Sequence, residues 1–465
     1  MKFLYAPLFA LCLIGNAHAA SLPPPMREAL QQAHIPLDSV GIVVQEVKAR
    51  KPRISINAGQ PMNPASTMKL LTTYAGLELL GPAYAWKTEA YIDGKLDNGV
   101  LQGDLILKGY GDPKFTMEQF WLWLRELRGR GLREIRGDLI LDRSFFDLPA
   151  HDPAAFDNDP VRAYNVGPDA LLLNFNTLRL RYVPGGNGVR ILSEPPLDGV
   201  MLNNQLAPHP AKGDCDNWDD AIHIQTDGER VTLQGDYPGE CGEREQNLSV
   251  MPHTRYAEAM FRALWQEVGG TLQGKQREGV ASTGAQLFST HYSMPLSEII
   301  RDINKFSNNV MARQLFLTLG ATNNETASIS RSTQAMQDWL KRKGLDFPEL
   351  VIENGAGLSR SERISPLHLA QLLQSVTGSP LSAELVASLP ILGVDGSVKK
   401  RLKESSAASH AHLKTGTLEG VKTIAGYVKS QGGKEWIVVF FINHPNAKYG
   451  QPAQDALLEW VQRRH

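Results

Sequence analysis

A chain of 465 residues is too long for one ordinary hydrophobic core and implies two or three domains. Its apolar (42%) and charged (21%) fractions are those of a folded globular protein, which sets aside fibrous and extensively disordered classes. The formal charge of −1 gives no electrostatic support for a nucleic-acid partner and limits any membrane contact to a peripheral one.

Met1-Lys2, the apolar run Phe3 to Ile14 and Ala17-His18-Ala19 have the charged start, greasy middle and small-residue cleavage site of a secretory signal, with cleavage expected after Ala19. The run is too short to remain as a membrane span. Cys12 leaves with this leader. Cys215 and Cys241 are then an even pair in an exported chain, for which a disulfide closing a Gly/Asp/Pro-rich loop is expected and two free thiols are the alternative.

Beyond the leader, a short amphipathic start, Pro23 to Ala33, precedes a strand, Gly41 to Val47, and its hairpin partner, Arg53 to Asn57. Met68 to Leu80 is apolar on nearly every face and stops at Gly81-Pro82, the pattern of a buried helix. From about Trp86 the texture changes to short strands and glycine turns. Gly103-Asp104-Leu105-Ile106-Leu107 recurs as Gly137-Asp138-Leu139-Ile140-Leu141 with an amphipathic helix, Met117 to Arg128, between the copies. This predicts a strand, helix, strand unit. Phe145 to Pro160, rich in Asp and Pro, reads as an ordered loop. Strands are expected at Leu171 to Val183, Val189 to Leu192, Ala221 to Thr226 and Arg230 to Gln234, followed by a helix from Tyr256 to Val268.

Leu296, Ile299, Ile300, Ile303 and Phe306 form a helical stripe, and Val310 to Leu319 is a second helix after a short polar break. Gln334 to Lys343 and Pro366 to Val376 are two more. Three strands, His412 to Thr417, Thr423 to Lys429 and Trp436 to Asn443, and a closing helix, Pro452 to Arg463, complete the chain. An antiparallel sheet of these three strands and the two N-terminal ones, flanked by helices, would join residues 20–86 and 286–465 into one α+β domain. Residues 87–285 would be a β-rich accessory insertion of one or two further domains.

Three patches carry chemistry. In Pro64-Ala65-Ser66-Thr67-Met68-Lys69, Ser66 and Lys69 lie on one helix face, where the positive end of the helix dipole and a desolvated wall lower the amine's pKa towards that of a base. The structural alternative is an N-cap serine and a snorkelling lysine. Ser307 and Asn309 sit at the break between two helices, positioned either to relay a proton and hold a lysine or merely to cap a helix. Lys414-Thr415-Gly416-Thr417 places a glycine inside a strand, a sign that another backbone comes close there; an edge strand of this kind accepts a peptide as an added strand. The alternative is a solvated lysine before a bulge. His410 and His412 have no third ligand nearby, and neither a dinucleotide loop nor a phosphate loop is present, so no metal or cofactor is expected.

Ser-x-x-Lys, Ser-x-Asn and Lys-Thr-Gly, in this order, are the motif set of β-lactamases and penicillin-binding proteins. With Gly355-Ala356-Gly357-Leu358-Ser359-Arg360, Gly393-Val394-Asp395-Gly396-Ser397 and the long insertion, the chain resembles the class C low-molecular-mass penicillin-binding proteins of the D-alanyl-D-alanine carboxypeptidase/endopeptidase family. The resemblance implies a serine penicillin-recognising, β-lactamase-like domain and a periplasmic enzyme acting on peptidoglycan stem peptides, with β-lactams as covalent inhibitors. Ser66 would be acylated, Lys69 would be the base, Ser307 and Asn309 would handle the leaving amine's proton and position Lys69, and Lys414 and Thr415 would hold the terminal carboxylate. Gly416 would line the site, and the amides of Ser66 and Thr417 would form the oxyanion hole. Asp159, Tyr164, Arg360 and Glu419 would surround the amine-bearing third residue of the stem peptide. A β-lactamase and an inactive wall-binding scaffold are the competing readings; oligomeric state is left open.

Overall fold

The computed structural model describes residues 22–186, 188–207, 214–321 and 326–465. The expected leader, with Cys12 and the expected cleavage site after Ala19, lies outside the described residues.

The two ends of the chain meet in a five-stranded antiparallel sheet. Its order is Ala411–Leu418, Val421–Lys429, Glu435–Asn443, Val40–Glu46, Ile54–Ile56. Glu435–Asn443 is central and apolar along nearly its whole length because both of its faces are covered. Val438, Phe440 and Ile442 point to one layer, where Met26 and Leu30 of the helix Pro24–Gln32 pack with Leu457, Leu458 and Val461 of the helix Gln451–Gln462. Ile437, Val439 and Phe441 point the other way, onto Leu70, Leu71 and Tyr74 of the helix Lys69–Leu80, and that core extends through Leu296–Lys305, Asn309–Leu319 and Pro366–Thr377. The two-residue period of the strand thus divides one sequence between two cores. Each such side chain contributes roughly 1.5–3 kcal/mol on burial.

The chain leaves this body after Trp86 and returns at Ser293, and the two crossing points are tied together: Ser293 N–H donates to the Trp86 carbonyl and Trp86 N–H to Ser293 Oγ, both at 2.9 Å. Between them, Lys87–Asp97 and Val100–Gly109 form a hairpin within a seven-stranded sheet. The repeated Gly-Asp-Leu-Ile-Leu segments are neighbours in that sheet: Leu105, Ile106 and Leu107 pair in parallel with Leu139, Ile140 and Leu141. The helix Met117–Gly129 makes the crossover between them, closed at its start by a capping box of Thr116 and Gln119. The last strand of the sheet, Gln286–Tyr292, pairs with Lys87–Asp97; the expected boundary at 285 falls just before it.

Two three-stranded sheets extend from this one, Arg244–Leu248 with Leu178–Gly185 and Gly188–Glu194, and Ile222–Thr226 with Arg230–Gly235 and Met201–Leu206. Cys215 and Cys241 form a disulfide, with their Cα atoms 5.2 Å apart. The strand expected from Leu171 starts only at Leu178. Asn174, Phe175 and Asn176 have φ of 44°, 56° and 53°, and three consecutive left-handed residues cannot continue an extended ladder. Side chains of this turn instead tie it to distant segments: Asn174 Oδ1 accepts from Met117 N–H, and Asn176 Nδ2 donates to the Met251 carbonyl.

Candidate active site

The turn before the buried helix is held from several directions. Asn63 Oδ1 accepts from Ala65 N–H at 2.8 Å, Asn63 Nδ2 donates to the Ser359 carbonyl at 2.8 Å, and Thr423 Oγ1 donates to the Pro64 carbonyl at 2.7 Å. These bonds hold Ala65 at φ 45°, a left-handed conformation that costs an alanine about 1–2 kcal/mol. A 3₁₀ turn, Ala65–Met68, then carries Ser66, and the α-helix proper begins at Lys69. Ser66 is partly exposed, whereas Lys69 is fully buried.

Lys69 Nζ makes three hydrogen bonds, to Ser66 Oγ at 3.0 Å, Asn309 Oδ1 at 2.7 Å and the Ala356 carbonyl at 2.5 Å. Three acceptors saturate an ammonium. A neutral amine has two protons, which the carbonyl of Ala356 and the amide oxygen of Asn309 can take, and one lone pair, which then faces the Ser66 hydroxyl. Burial, foremost, holds this amine well below the ordinary lysine range; the nearby cations Lys414 and Arg313 push the same way, and Glu362 opposes them. The desolvated wall expected from the sequence is the first of these causes, and the neighbouring cations, which the sequence does not disclose, add to it.

Opposite Lys69, Asn308 caps the helix Asn309–Leu319 by accepting from Met311 N–H at 3.0 Å. The cap role therefore falls to Asn308, leaving Ser307 and Asn309 free to turn towards the two lysines. Ser307 has φ 57°, and its Oγ accepts from Lys414 Nζ at 2.8 Å. Lys414 is fully buried and also donates to the Thr415 carbonyl; burial pushes its pKa down to about 7. Thr415 Oγ1 lies 2.6 Å from Ser397 Oγ.

Ala411–Leu418 is the edge of its sheet. Residues 390–392 cover the start of that edge, through Leu392 N–H to the Ala411 carbonyl and Leu413 N–H to the Pro390 carbonyl. By the alternation of a strand, Thr415 and Thr417 direct their backbone groups to the same outer side as Leu413. A Cβ on Gly416 would lie 2.3 Å from Thr423 Oγ1 and 2.8 Å from the Ser66 nitrogen, so the strand passes directly against the Ser66 turn. Gly357 does the same from another side, where a Cβ would lie 1.9 Å from the Ala65 carbonyl oxygen. The three motif patches therefore meet around one hydroxyl.

The four outer residues are less closely gathered. Arg360 stacks its guanidinium 4.7 Å from the Phe156 ring and donates to the Glu419 carbonyl at 3.1 Å, while the Glu419 carboxylate is 92% exposed. Tyr164 is exposed and its carbonyl is 3.4 Å from Asn309 Nδ2. Its hydroxyl donates to Asp157 at 2.6 Å, not to Asp159, whose carboxylate is paired with Arg162 at 2.7 Å. Burial pushes the Asp157 carboxyl up, but bonds from Tyr164, Asn165 and the Asp159 N–H, with Arg162 nearby, hold it below the usual carboxylate range. A cavity of about 460 Å³ opens beside Ser307 and Asn309, walled by Tyr164 and Phe306 and, from the insertion, by Thr116 and Asn174.

Sequence reasoning missed the Ala356 carbonyl, which as a backbone group leaves no residue signature. It also passed over Asp157, two residues from Asp159 in the same acidic loop, where only the partners of each carboxylate distinguish them. Ser397, in Gly393 to Ser397, carries no chemical signal in the sequence, and only the fold sets its hydroxyl beside Thr415.

Comparison with known proteins covers nearly the whole chain. The chain is 26% identical over 454 residues to D-alanyl-D-alanine carboxypeptidase DacB of Haemophilus influenzae, covering 95% of this chain and 91% of that one. The crystal structure of penicillin binding protein 4 (dacB) from Haemophilus influenzae superposes with a TM-score of 0.77 at 24% identity, covering 93% of this chain and 99% of that one. The same protein complexed with a novel β-lactam gives 0.75 at 24% identity, covering 94% and 99%. The fold is thus the expected penicillin-recognising α+β fold with additional domains. The family model of D-Ala-D-Ala carboxypeptidase 3 (S13) matches residues 25–464, and the chain belongs to that family of serine-type D-Ala-D-Ala carboxypeptidases.

Proposed function

We propose that Ser66 is the nucleophile of this carboxypeptidase and Lys69 its general base. The observation that carries this reading is the Lys69 amine, fully buried, with the Ser66 hydroxyl as one of its three partners. The neutral amine takes the Ser66 proton as Oγ attacks the carbonyl of the penultimate D-alanine. The amides of Ser66 and Thr417 receive the developing oxyanion. On collapse the C–N bond breaks, the proton that Lys69 gained returns to the departing amine, which Ser307, held by Lys414 Nζ, faces, and the acyl group remains on Ser66 as an ester. Water then releases it. Lys414 and Thr415 hold the terminal carboxylate, with Ser397 orienting Thr415.

The substrates in this reading are peptidoglycan stem peptides, and both terminal D-alanine release and cleavage of D-alanyl cross-links are accommodated by the open groove. Residues 22–86 and 293–465 form the peptidase domain, and residues 87–292, with the strand Gln286–Tyr292, a nested accessory region that contributes the Asp157–Tyr164 loop to the groove. The leader sequence supports export to the periplasm. The complex of the Haemophilus protein with a β-lactam supports covalent inhibition by such drugs here.

Incubating the mature protein with a penicillin and weighing it intact tests the nucleophile. One drug mass is expected on the native protein and none on Ser66→Ala; an adduct on Ser66→Ala would reassign the nucleophile. Rapid decay of the native adduct with release of hydrolysed drug would instead place the activity with β-lactamases.

A further inference from the structure

Among the described residues that the mechanism above does not use, Glu362 stands out for its burial and its partners. It is wholly buried, and one carboxylate oxygen, Oε1, accepts three consecutive backbone N–H bonds, from Glu353 at 3.0 Å, Asn354 at 2.9 Å and Gly355 at 3.1 Å. The other oxygen, Oε2, is buried without a hydrogen-bond partner. Successive amides converging on one oxygen form an anion-binding nest, here filled by the chain's own side chain.

The turn gathered in this way is a wall of the nucleophile's site. Its next residue is Ala356, whose carbonyl accepts from Lys69 Nζ at 2.5 Å. The Gly355 carbonyl accepts from Thr72 Oγ1 at 2.6 Å, one helical turn beyond Lys69, and Gly357 lies against the Ala65 carbonyl. An apolar side chain at 362 would leave three buried N–H groups without an acceptor. We propose that Glu362 is a positioning residue for acylation: it gathers the 353–355 amides so that the Ala356 carbonyl is held against Lys69 Nζ, and it sets a negative charge facing that amine.

The charges around Lys69 give this a measurable sign. Lys414 and Arg313 disfavour the ammonium form of Lys69, whereas Glu362 favours it. Arg313, itself buried, faces Glu362 and Glu353. All donors to Glu362 Oε1 are N–H groups, which favours the carboxylate form even though burial pushes its pKa up. Removing this charge destabilises the Lys69 ammonium, so the neutral amine persists to lower pH but is a weaker base.

This inference rests on Ser66 and Lys69 acting as nucleophile and base. The test measures the rate of acylation by a β-lactam against pH on Glu362→Gln, with rates normalised to titrated active sites. Glu362→Gln keeps one acceptor oxygen for the three amides and removes the charge. Its acid limb is expected to move down by about one pH unit, with the plateau about tenfold lower and KM for a D-Ala-D-Ala peptide within about twofold. Thr72→Val frees the Gly355 carbonyl without altering charge, so its plateau should fall while the limb stays in place. An unchanged limb and plateau in folded Glu362→Gln would overturn the proposal. If Glu362→Gln does not melt cooperatively, native acylation in Thr72→Val overturns it. An adduct retained on Ser66→Ala would defeat the underlying reading instead, so the two failures are separable.

Discussion

At the scale of single residues the site holds two buried lysines, and burial lowers the pKa of both. In the proposed mechanism Lys414 meets a carboxylate and is useful as a cation, while Lys69 takes a proton and is useful as an amine. A charged Lys414 further depresses the affinity of Lys69 for a proton. For Lys414 the folded pKa, about 7, lies below the value of 10.5 in an open chain. Between those limits the unfolded chain binds the extra proton, so this group's contribution to stability rises with pH across that window and is least favourable below about 7. Substrate capture has the opposite slope, because the charged form is the one that binds a carboxylate. The expected result is a fall in kcat/KM for a D-Ala-D-Ala peptide as pH rises through about 7, by roughly fivefold from pH 7 to pH 8, since kcat/KM reports the free enzyme's groups. The same peptide with its terminal carboxylate amidated should lack this alkaline limb. A limb of equal size in both would remove Lys414 from carboxylate binding.

At the scale of elements, the edge strand and the Ser66 turn are set at a distance that admits no side chain between them. Gly416 is needed for that approach: an added Cβ would meet Thr423 Oγ1 at 2.3 Å, the Ser66 nitrogen at 2.8 Å and Ala65 Cβ at 2.9 Å. Gly416→Ala is therefore expected to cost about 1–3 kcal/mol of stability and, by displacing the hydroxyl and the oxyanion donors by up to an ångström, about a hundredfold in acylation. Gly59→Ala is the control, since nothing lies within 4 Å of its added carbon; it should change stability by less than about 0.5 kcal/mol. Thermal melting and acylation rate, measured together, decide this. The prediction fails if Gly416→Ala acylates at the native rate.

The same contact explains what the sequence could disclose. A glycine inside a β-rich segment signalled a close backbone but not which one, because the partner lies some 350 residues away along the chain. The repeated Gly-Asp-Leu-Ile-Leu was legible as strand, helix, strand since its period and the intervening amphipathic helix are local; that the copies are adjacent and parallel is a tertiary fact. The start of the strand at Leu178 was misread because apolar residues run on through Leu171–Leu173 while the backbone turns left-handed at 174–176. Glu362 gave no signal at all: a lone acid between Ser361 and Arg363 has the pattern of a surface turn, and only the fold buries it.

At the scale of the whole molecule, the groove is built jointly by the two parts of the chain. The insertion is anchored to the helix Asn309–Leu319 by paired contacts: Asp169 N–H to Gln314 Oε1 at 2.9 Å, Gln314 Nε2 to the Asp169 carbonyl at 2.8 Å, and Arg313 Nη1 to the Val166 carbonyl at 2.8 Å. These buried bonds continue the helix that carries Asn309 into the loop that carries Asp157, Asp159 and Tyr164. In the proposed reading, substrate preference and catalysis come from different segments held in one frame. Of the two acids, Asp159 already has a guanidinium partner in Arg162, so an incoming ammonium there competes with an existing ion pair. Asp157 is hydrogen-bonded by neutral donors, Tyr164, Asn165 and the Asp159 N–H, while the nearby Arg162 is bonded to Asp159 instead. Asp157→Asn should therefore lower kcat/KM for a stem peptide with an amine-bearing third residue by about tenfold relative to one with an uncharged third residue, as expected for loss of one charge-assisted hydrogen bond. Asp159→Asn should shift that ratio less. Parallel kinetics on the two peptides provide the check: a larger shift for Asp159→Asn would return recognition to the acid named from sequence, and equal losses on both peptides would mean that neither carboxylate meets the ammonium.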